Sequence, residues 1–183
     1  MPAVQIAEIL PQNQLQQALF NLPVGDWAEG ERGIACLPDR VGEFQGGVGT
    51  AISSATILGN PIINCLAGIK PESLKYDVAW ETLVKNLRFA GRELDKAGLT
   101  LLVEPINHYD MPGFMLNTSA DDIRAIDETG EPSIKLQYDI YHMQRMEGEV
   151  SSTIERLFLR IGHFQCAGVP GRTEPDRGEL NYA

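Results

Sequence analysis

Apolar residues along this chain fall into two alternating patterns. Short unbroken runs (QALFNL, PIINCLAG, LTLLVEPI, IKLQYDIYH and GHFQCAGVP) are separated by longer stretches with apolar positions every three or four residues. The unbroken runs predict β-strands covered on both faces, because a half-exposed strand alternates apolar with polar residues. The spaced stretches predict amphipathic helices. PAVQIAEIL sets Val4, Ile6, Ile9 and Leu10 on a short helical face. A helix over 40–58 carries Val41, Phe44, Val48, Ile52 and Ile57, and Gly46, Gly47 and Gly49 weaken it by roughly 1 kcal/mol each relative to Ala. Ala79, Leu83, Leu87, Ala90 and Leu94 mark a long helix within 72–97, stopped by Gly98. TSADDIRAIDETG predicts a helix with Ser119 as N-cap, Asp121 and Asp122 in its first turn, and an end at Gly130. EVSSTIERLFLRI forms the next helix, and RTEPDRGELNYA reads as loop.

The strands begin near 17, 62, 100, 134 and 161, at intervals that suit repeated βα units after one long early loop. The expected class is parallel α/β. A doubly wound sheet would carry its ligand at a reversal of strand order, often with a G-x-G-x-x-G turn, and no such turn follows a strand here. A (β/α)₈ barrel instead sets its chemistry at the C-terminal ends of several strands. The expectation is a barrel of that TIM type, incomplete, with about five βα units in a single domain over 1–183.

Three strand-like runs close on an oxygen-bearing side chain: Glu104, Asp139 and Gln165. Singly, each has an ordinary explanation, as a helix cap, an ion-pair partner or a packed amide. Together, at successive strand ends, they suggest oxygen ligands converging on one hard divalent cation. His142, three residues past Asp139, can return over the same mouth and orient a substrate oxygen or an anion. His163 lies two residues before Gln165, on the same side of its strand, and is a competing candidate. Arg172 in VPGR offers a fork of donors for a substrate carboxylate, against the plainer reading of a solvated loop arginine. Asn21 ends the first strand and can point inward. The polar, glycine-rich segment that follows, through Arg40, suits a lid or wall of a site.

Composition narrows the class without changing it. Of 183 residues, 43% are hydrophobic and 22% charged, ordinary values for a globular domain. A net charge of −10 disfavours a nucleic-acid partner, which needs clustered Lys and Arg. No run reaches the ~18 apolar residues of a membrane span, and the first ten residues lack the features of a signal peptide. Cys36, Cys65 and Cys166 are odd in number, match no zinc spacing and lack a nucleophile signature, so a reducing cytoplasmic setting is expected.

NLPVGDWAEGERGIACLPDR, INCLAG, LLVEPINHYDMPGF, LQYDIYHMQRMEGE, IGHFQCAGVPGRTEP and GELNY together resemble hydroxypyruvate isomerases. These belong to the wider group of xylose-isomerase-like barrels, with ketose epimerases and 2-oxo-tetronate isomerases. The resemblance extends from about residue 5 to the end of the chain. It implies a divalent cation, Mg or Mn, held by Glu104, Asp139 and Gln165, with Gln165 favoured over His163. It further implies Glu104 as one of two proton-shuttling glutamates, and His142 and Arg172 around a small 2-oxo acid or sugar-acid substrate, which Asn21, by its place at a strand end, is a candidate to meet as well. Hydroxypyruvate and tartronate semialdehyde would be interconverted. The resemblance also implies that two strands precede residue 1 and that one follows residue 183, bearing the second glutamate, for which Glu179 is no substitute. Alternatives are another isomerase or epimerase on the same barrel, a related apurinic-site endonuclease disfavoured by charge and by only three histidines, and an inactive truncated remnant. Dimers and tetramers are common for such barrels, which admits a homo-oligomer, although the sequence carries no interface signature.

Overall fold

The computed structural model describes residues 1–182. Five strands, β1 (Phe20–Asn21), β2 (Ile62–Cys65), β3 (Thr100–Val103), β4 (Lys135–Asp139) and β5 (Ile161–Gln165), form one sheet in chain order with every pair parallel. Unreversed order is the topology of a barrel wall, not of a doubly wound sheet. Among the described residues β1 and β5 each have one strand neighbour, so the wall is open. The helices are α1 (Ala3–Gln12), α2 (Val41–Leu58), α3 (Tyr76–Lys96), α4 (Ser119–Thr129), α5 (Ile140–Met146) and α6 (Val150–Leu157). None is long and apolar enough to cross a membrane.

Helix α3 shows how the pattern becomes packing. Ala79, Leu83, Leu87, Ala90 and Leu94 are all fully buried, on the face their spacing assigns. They meet Ile63, Leu101, Val103 and Leu136 in one continuous core. A side chain at Gly91 would come within 2.8 Å of Ile134, so that glycine allows the helix to approach the sheet. Helix α2 forms despite four glycines, Gly42, Gly46, Gly47 and Gly49, because Phe44, Val48, Ala51 and Ala55 bury a stripe against the same core.

Several local expectations are corrected. Strand β1 is two residues long and starts at Phe20, not near 17, since only Phe20 and Asn21 find register with β2. The N-cap of α4 is Thr118, not Ser119. The Thr118 hydroxyl accepts from the Asp121 N–H at 3.1 Å and the Asp121 carboxylate accepts from the Thr118 N–H at 3.1 Å, a complete capping box. Ser119 is instead buried, and its N–H donates to Glu147 at 2.7 Å. Asp122 points inward and is fully buried. Strand β5 is not covered on both faces: Gly162 and Phe164 are exposed. A helix also follows β4 without a break, because Asp139 caps α5 by accepting from the Tyr141 N–H at 2.9 Å.

Candidate active site

Parallel register sets the polar strand ends side by side. Asn21 pairs with Asn64 across β1 and β2, and Asp139 with Gln165 across β4 and β5. Glu104 directly follows β3, between those pairs. All lie at C-terminal strand ends, where a barrel opens its mouth. A cavity of about 230 Å³ forms there, bounded by Asn21, Glu104, Gln137, His142, Gln165 and Arg172, with Trp27, Leu66, Ile106 and Met111 as apolar wall. Trp27 brings the long β1–α2 loop to this cavity, so that loop is a wall, as expected. A larger cleft of about 500 Å³ opens at the opposite end of β4, beside Asp127 and Lys135, and none of the strand-end ligands reaches it.

Glu104 and Asp139 are both buried, at 6% and 2% exposure. The Glu104 carboxylate accepts from Asn64 Nδ2 at 2.9 Å, and Asn64 Nδ2 also lies 3.1 Å from Asn21 Oδ1. Burial pushes the Glu104 carboxyl up to about 7, the Asp139 charge adds to the rise, and hydrogen bonds from Gln137 and Asn64 with the charge of Arg172 offset part of it. Asp139 Oδ2 faces Arg172 Nη2 at 3.3 Å and His142 Nε2 at 3.6 Å. Gln137 Nε2 donates to Gln165 Oε1 at 3.2 Å, which holds the Gln165 amide in the group. Burial lowers the His142 pKa to about 4, against the opposing pull of Asp139. Arg172 reaches in from an exposed loop, with its guanidinium 5.1 Å from the centre of the Tyr141 ring.

This donor set fits a divalent cation. Glu104, Asp139 and His142 each present a ligand-type atom, all within 4.8 Å of one another. Two buried carboxylates facing one partly exposed guanidinium leave local negative charge uncompensated. The buried carbonyl oxygens Asn64 Oδ1 and Gln137 Oε1 have no hydrogen-bond partner. An oxygen-rich set of this kind matches a hard cation, not a soft one.

All six expected site residues, Asn21, Glu104, Asp139, His142, Gln165 and Arg172, meet at this mouth. His163 does not line the cavity. Sequence reasoning missed Asn64, Gln137, Asn107 and Tyr141. Asn64 and Gln137 each interrupt an apolar strand with an amide, a signal that could have found them. Asn107 and Tyr141 serve through hydrogen bonds to groups distant in sequence, which no local pattern shows.

The family model for the xylose isomerase-like TIM barrel matches residues 2–183. The hydroxypyruvate isomerase of Escherichia coli strain K12 is 49% identical over 178 residues, which cover 97% of this chain and 69% of that protein. The 2-oxo-tetronate isomerase of Cupriavidus necator is 44% identical over 180 residues, covering 98% of this chain and 69% of that one. A crystal structure described as an AP endonuclease, family 2, from Brucella melitensis superposes with a TM-score of 0.95 at 39% identity, covering all of this chain and 70% of that one.

Proposed function

The chain belongs to the xylose isomerase-like TIM barrel family, and from that premise we propose that it is the larger part of a hydroxypyruvate isomerase. One observation carries the reading: Glu104, Asp139 and His142 converge within 4.8 Å at the strand-end mouth, in a chain 49% identical to an enzyme of that name. In this reading residues 1–183 are one partial barrel domain, short of the first two strands and the last. A full barrel takes about 250 residues, and the relatives' additional length accommodates three further βα units.

Glu104, Asp139 and Gln165 would hold the cation, which when bound supplies Lewis-acid stabilisation of the charge that develops on substrate oxygens. Glu104 acts as the base. A buried carboxylate lining the cavity is placed to take a proton from the hydroxymethyl carbon α to the carbonyl. The C–H bond breaks at that carbon, a C–H bond forms at the former carbonyl carbon, and a hydroxyl proton moves between the two oxygens. His142 meets one of those oxygens, and Arg172 receives the substrate carboxylate bidentately. The small cavity and its apolar wall limit water at the reacting carbons. Glu104 is the single carboxylate among the described residues lining the cavity, so a second glutamate for the opposite face would come from outside that lining.

The 44% identity to a 2-oxo-tetronate isomerase favours a second reading with the same site and a longer substrate. The Brucella melitensis structure is described as an endonuclease, but a net charge of −10 weighs against a DNA substrate for this chain. The decisive assay incubates the chain with hydroxypyruvate and with 2-oxo-tetronate in D₂O, with Mg or Mn, and reads product and deuterium at the new C–H bond. Faster turnover of hydroxypyruvate, lost in Glu104→Gln, is the expected result. Preference for the four-carbon acid selects the second reading. If the chain and a version carrying the absent strands both leave the two acids unchanged, both readings fail.

A further inference from the structure

Asn107 follows Glu104 by three residues, is fully buried, and lies against His142. Its amide orientation is fixed by an unambiguous donor: the backbone N–H of Asp110 points at Asn107 Oδ1 at 2.9 Å. A backbone N–H only donates, so that atom is the carbonyl oxygen and the other is the NH₂ group. Asn107 Nδ2 stands 2.7 Å from His142 Nδ1 and 3.0 Å from Asp110 Oδ2, two acceptor positions for two hydrogens. The backbone N–H of Asn107 also points at His142 Nδ1, at 3.4 Å. Reversing the amide would set Oδ1 against the Asp110 carboxylate and NH₂ against an N–H. Asp110 is in turn clamped, accepting from the Tyr141 hydroxyl at 2.6 Å and from Arg145 Nη1 at 2.7 Å.

Both groups facing His142 Nδ1 are therefore donors, and the imidazole proton belongs on Nε2. We propose that Asn107 is a positioning residue that holds His142 as the Nε2–H tautomer, so that the ring donates a hydrogen bond into the cavity and does not ligate the cation. Proximity alone groups His142 with Glu104 and Asp139, but its lone pair is turned away from them, toward Asn107. The ligand set then reduces to Glu104, Asp139 and Gln165. His142 Nε2–H, 3.6 Å from Asp139 Oδ2, is left to bond the substrate oxygen that gains charge. The use of that proton in turnover rests on the isomerase reading, whereas the tautomer rests on the hydrogen bonds alone.

The test is a long-range ¹⁵N–¹H correlation spectrum of the uniformly ¹⁵N-labelled chain at pH 8, without and with Mg²⁺. A His142→Gln spectrum assigns His142 among the three histidines. The expected wild-type pattern is a pyridine-type Nδ1 and a pyrrole-type Nε2, unchanged by Mg²⁺. A carboxylate at 107 accepts where the amide donated, so Asn107→Asp should exchange the two patterns. In an active preparation it should lower kcat by about 10–100-fold with KM nearly unchanged. A protonated Nδ1 in the wild type, or movement of Nε2 to a ligand-type shift with Mg²⁺, overturns the proposal, and this spectrum decides it even if Asn107→Asp does not fold. Exchanged tautomers with unchanged kcat overturn the role in turnover. The expected tautomer in a chain that turns over neither acid upholds the positioning and sinks the isomerase reading instead.

Discussion

Two ionisable side chains at the mouth, Glu104 and His142, are buried, and they answer pH in opposite directions. The Glu104 carboxyl is raised to about 7, chiefly by burial. Its contribution to stability is present below the ordinary carboxylate range and is lost as pH rises through 7. His142 is lowered to about 4, again chiefly by burial, so its contribution is present above the ordinary imidazole range and is lost as pH falls through 4. In the metal-free chain the two slopes largely cancel at mildly acid pH, and above pH 6.5 the Glu104 loss stands alone. Glu104→Gln removes one slope. Urea melts in chelator should therefore show the variant gaining on the wild type between pH 5 and 8, by an amount on the order of 3 kcal/mol. Saturating Mg²⁺ should shrink that difference, because a bound cation favours the charged carboxylate. Equal stabilities at both pH values would mean that Glu104 does not feel this burial.

Secondary elements make their own predictions, and they also show where the chain could be read in advance. The capping box at the start of α4 predicts that Thr118→Ala costs about 1 kcal/mol in a denaturant melt. Ser119→Ala should cost through a different bond, the one its hydroxyl donates to Glu147 at 3.0 Å. Gly33 has φ +106°, and a Cβ there would meet the Leu66 carbonyl oxygen at 2.2 Å. The cavity-wall loop touches the end of β2 at this point, so Gly33→Ala should destabilise by about 1–3 kcal/mol and loosen Trp27, read as a change in tryptophan fluorescence. Periodicity alone was enough for α2 and α3, whereas the unreversed strand order followed from the missing glycine fingerprint and the polar strand ends. Local pattern did pick out Glu104, Asp139 and Gln165 as candidates, because a charge or amide at the end of an apolar run is visible locally. It could not place Thr118 as the cap over Ser119, since both carry hydroxyls and the choice depends on Glu147, 28 residues away. Nor could it show that Asp122 turns inward, or that Asn107 meets His142 across 35 residues. Resemblance to a family narrowed the alternatives that pattern left open, notably Gln165 over His163, and of these two Gln165 borders the cavity.

At the scale of the molecule, the open wall has a physical cost. The outer sides of β1 and β5 present backbone donors and acceptors that a closed barrel would pair. Beside β5 the chain exposes Phe158, Leu159 and Phe164, at 61%, 85% and 39%. Exposed apolar side chains next to an unpaired strand edge favour association with another chain. Sedimentation velocity over a concentration series should therefore show the 183-residue chain associating as concentration rises. Phe158→Lys with Leu159→Lys should shift it toward monomer, because charge on an edge opposes pairing and neither side chain belongs to the core cluster. The same geometry links assembly to the site. Gln165 ends the edge strand β5, and among the described residues its backbone has β4 on one side and no strand on the other. A version of the chain carrying further strands against β1 and β5 should lose the association and bind Mg²⁺ or Mn²⁺ more tightly by calorimetry, since its ligands would start from a closed wall. A monodisperse monomer with a sharp melt, and cation affinity unchanged by the added strands, would show that the five-stranded wall is self-sufficient.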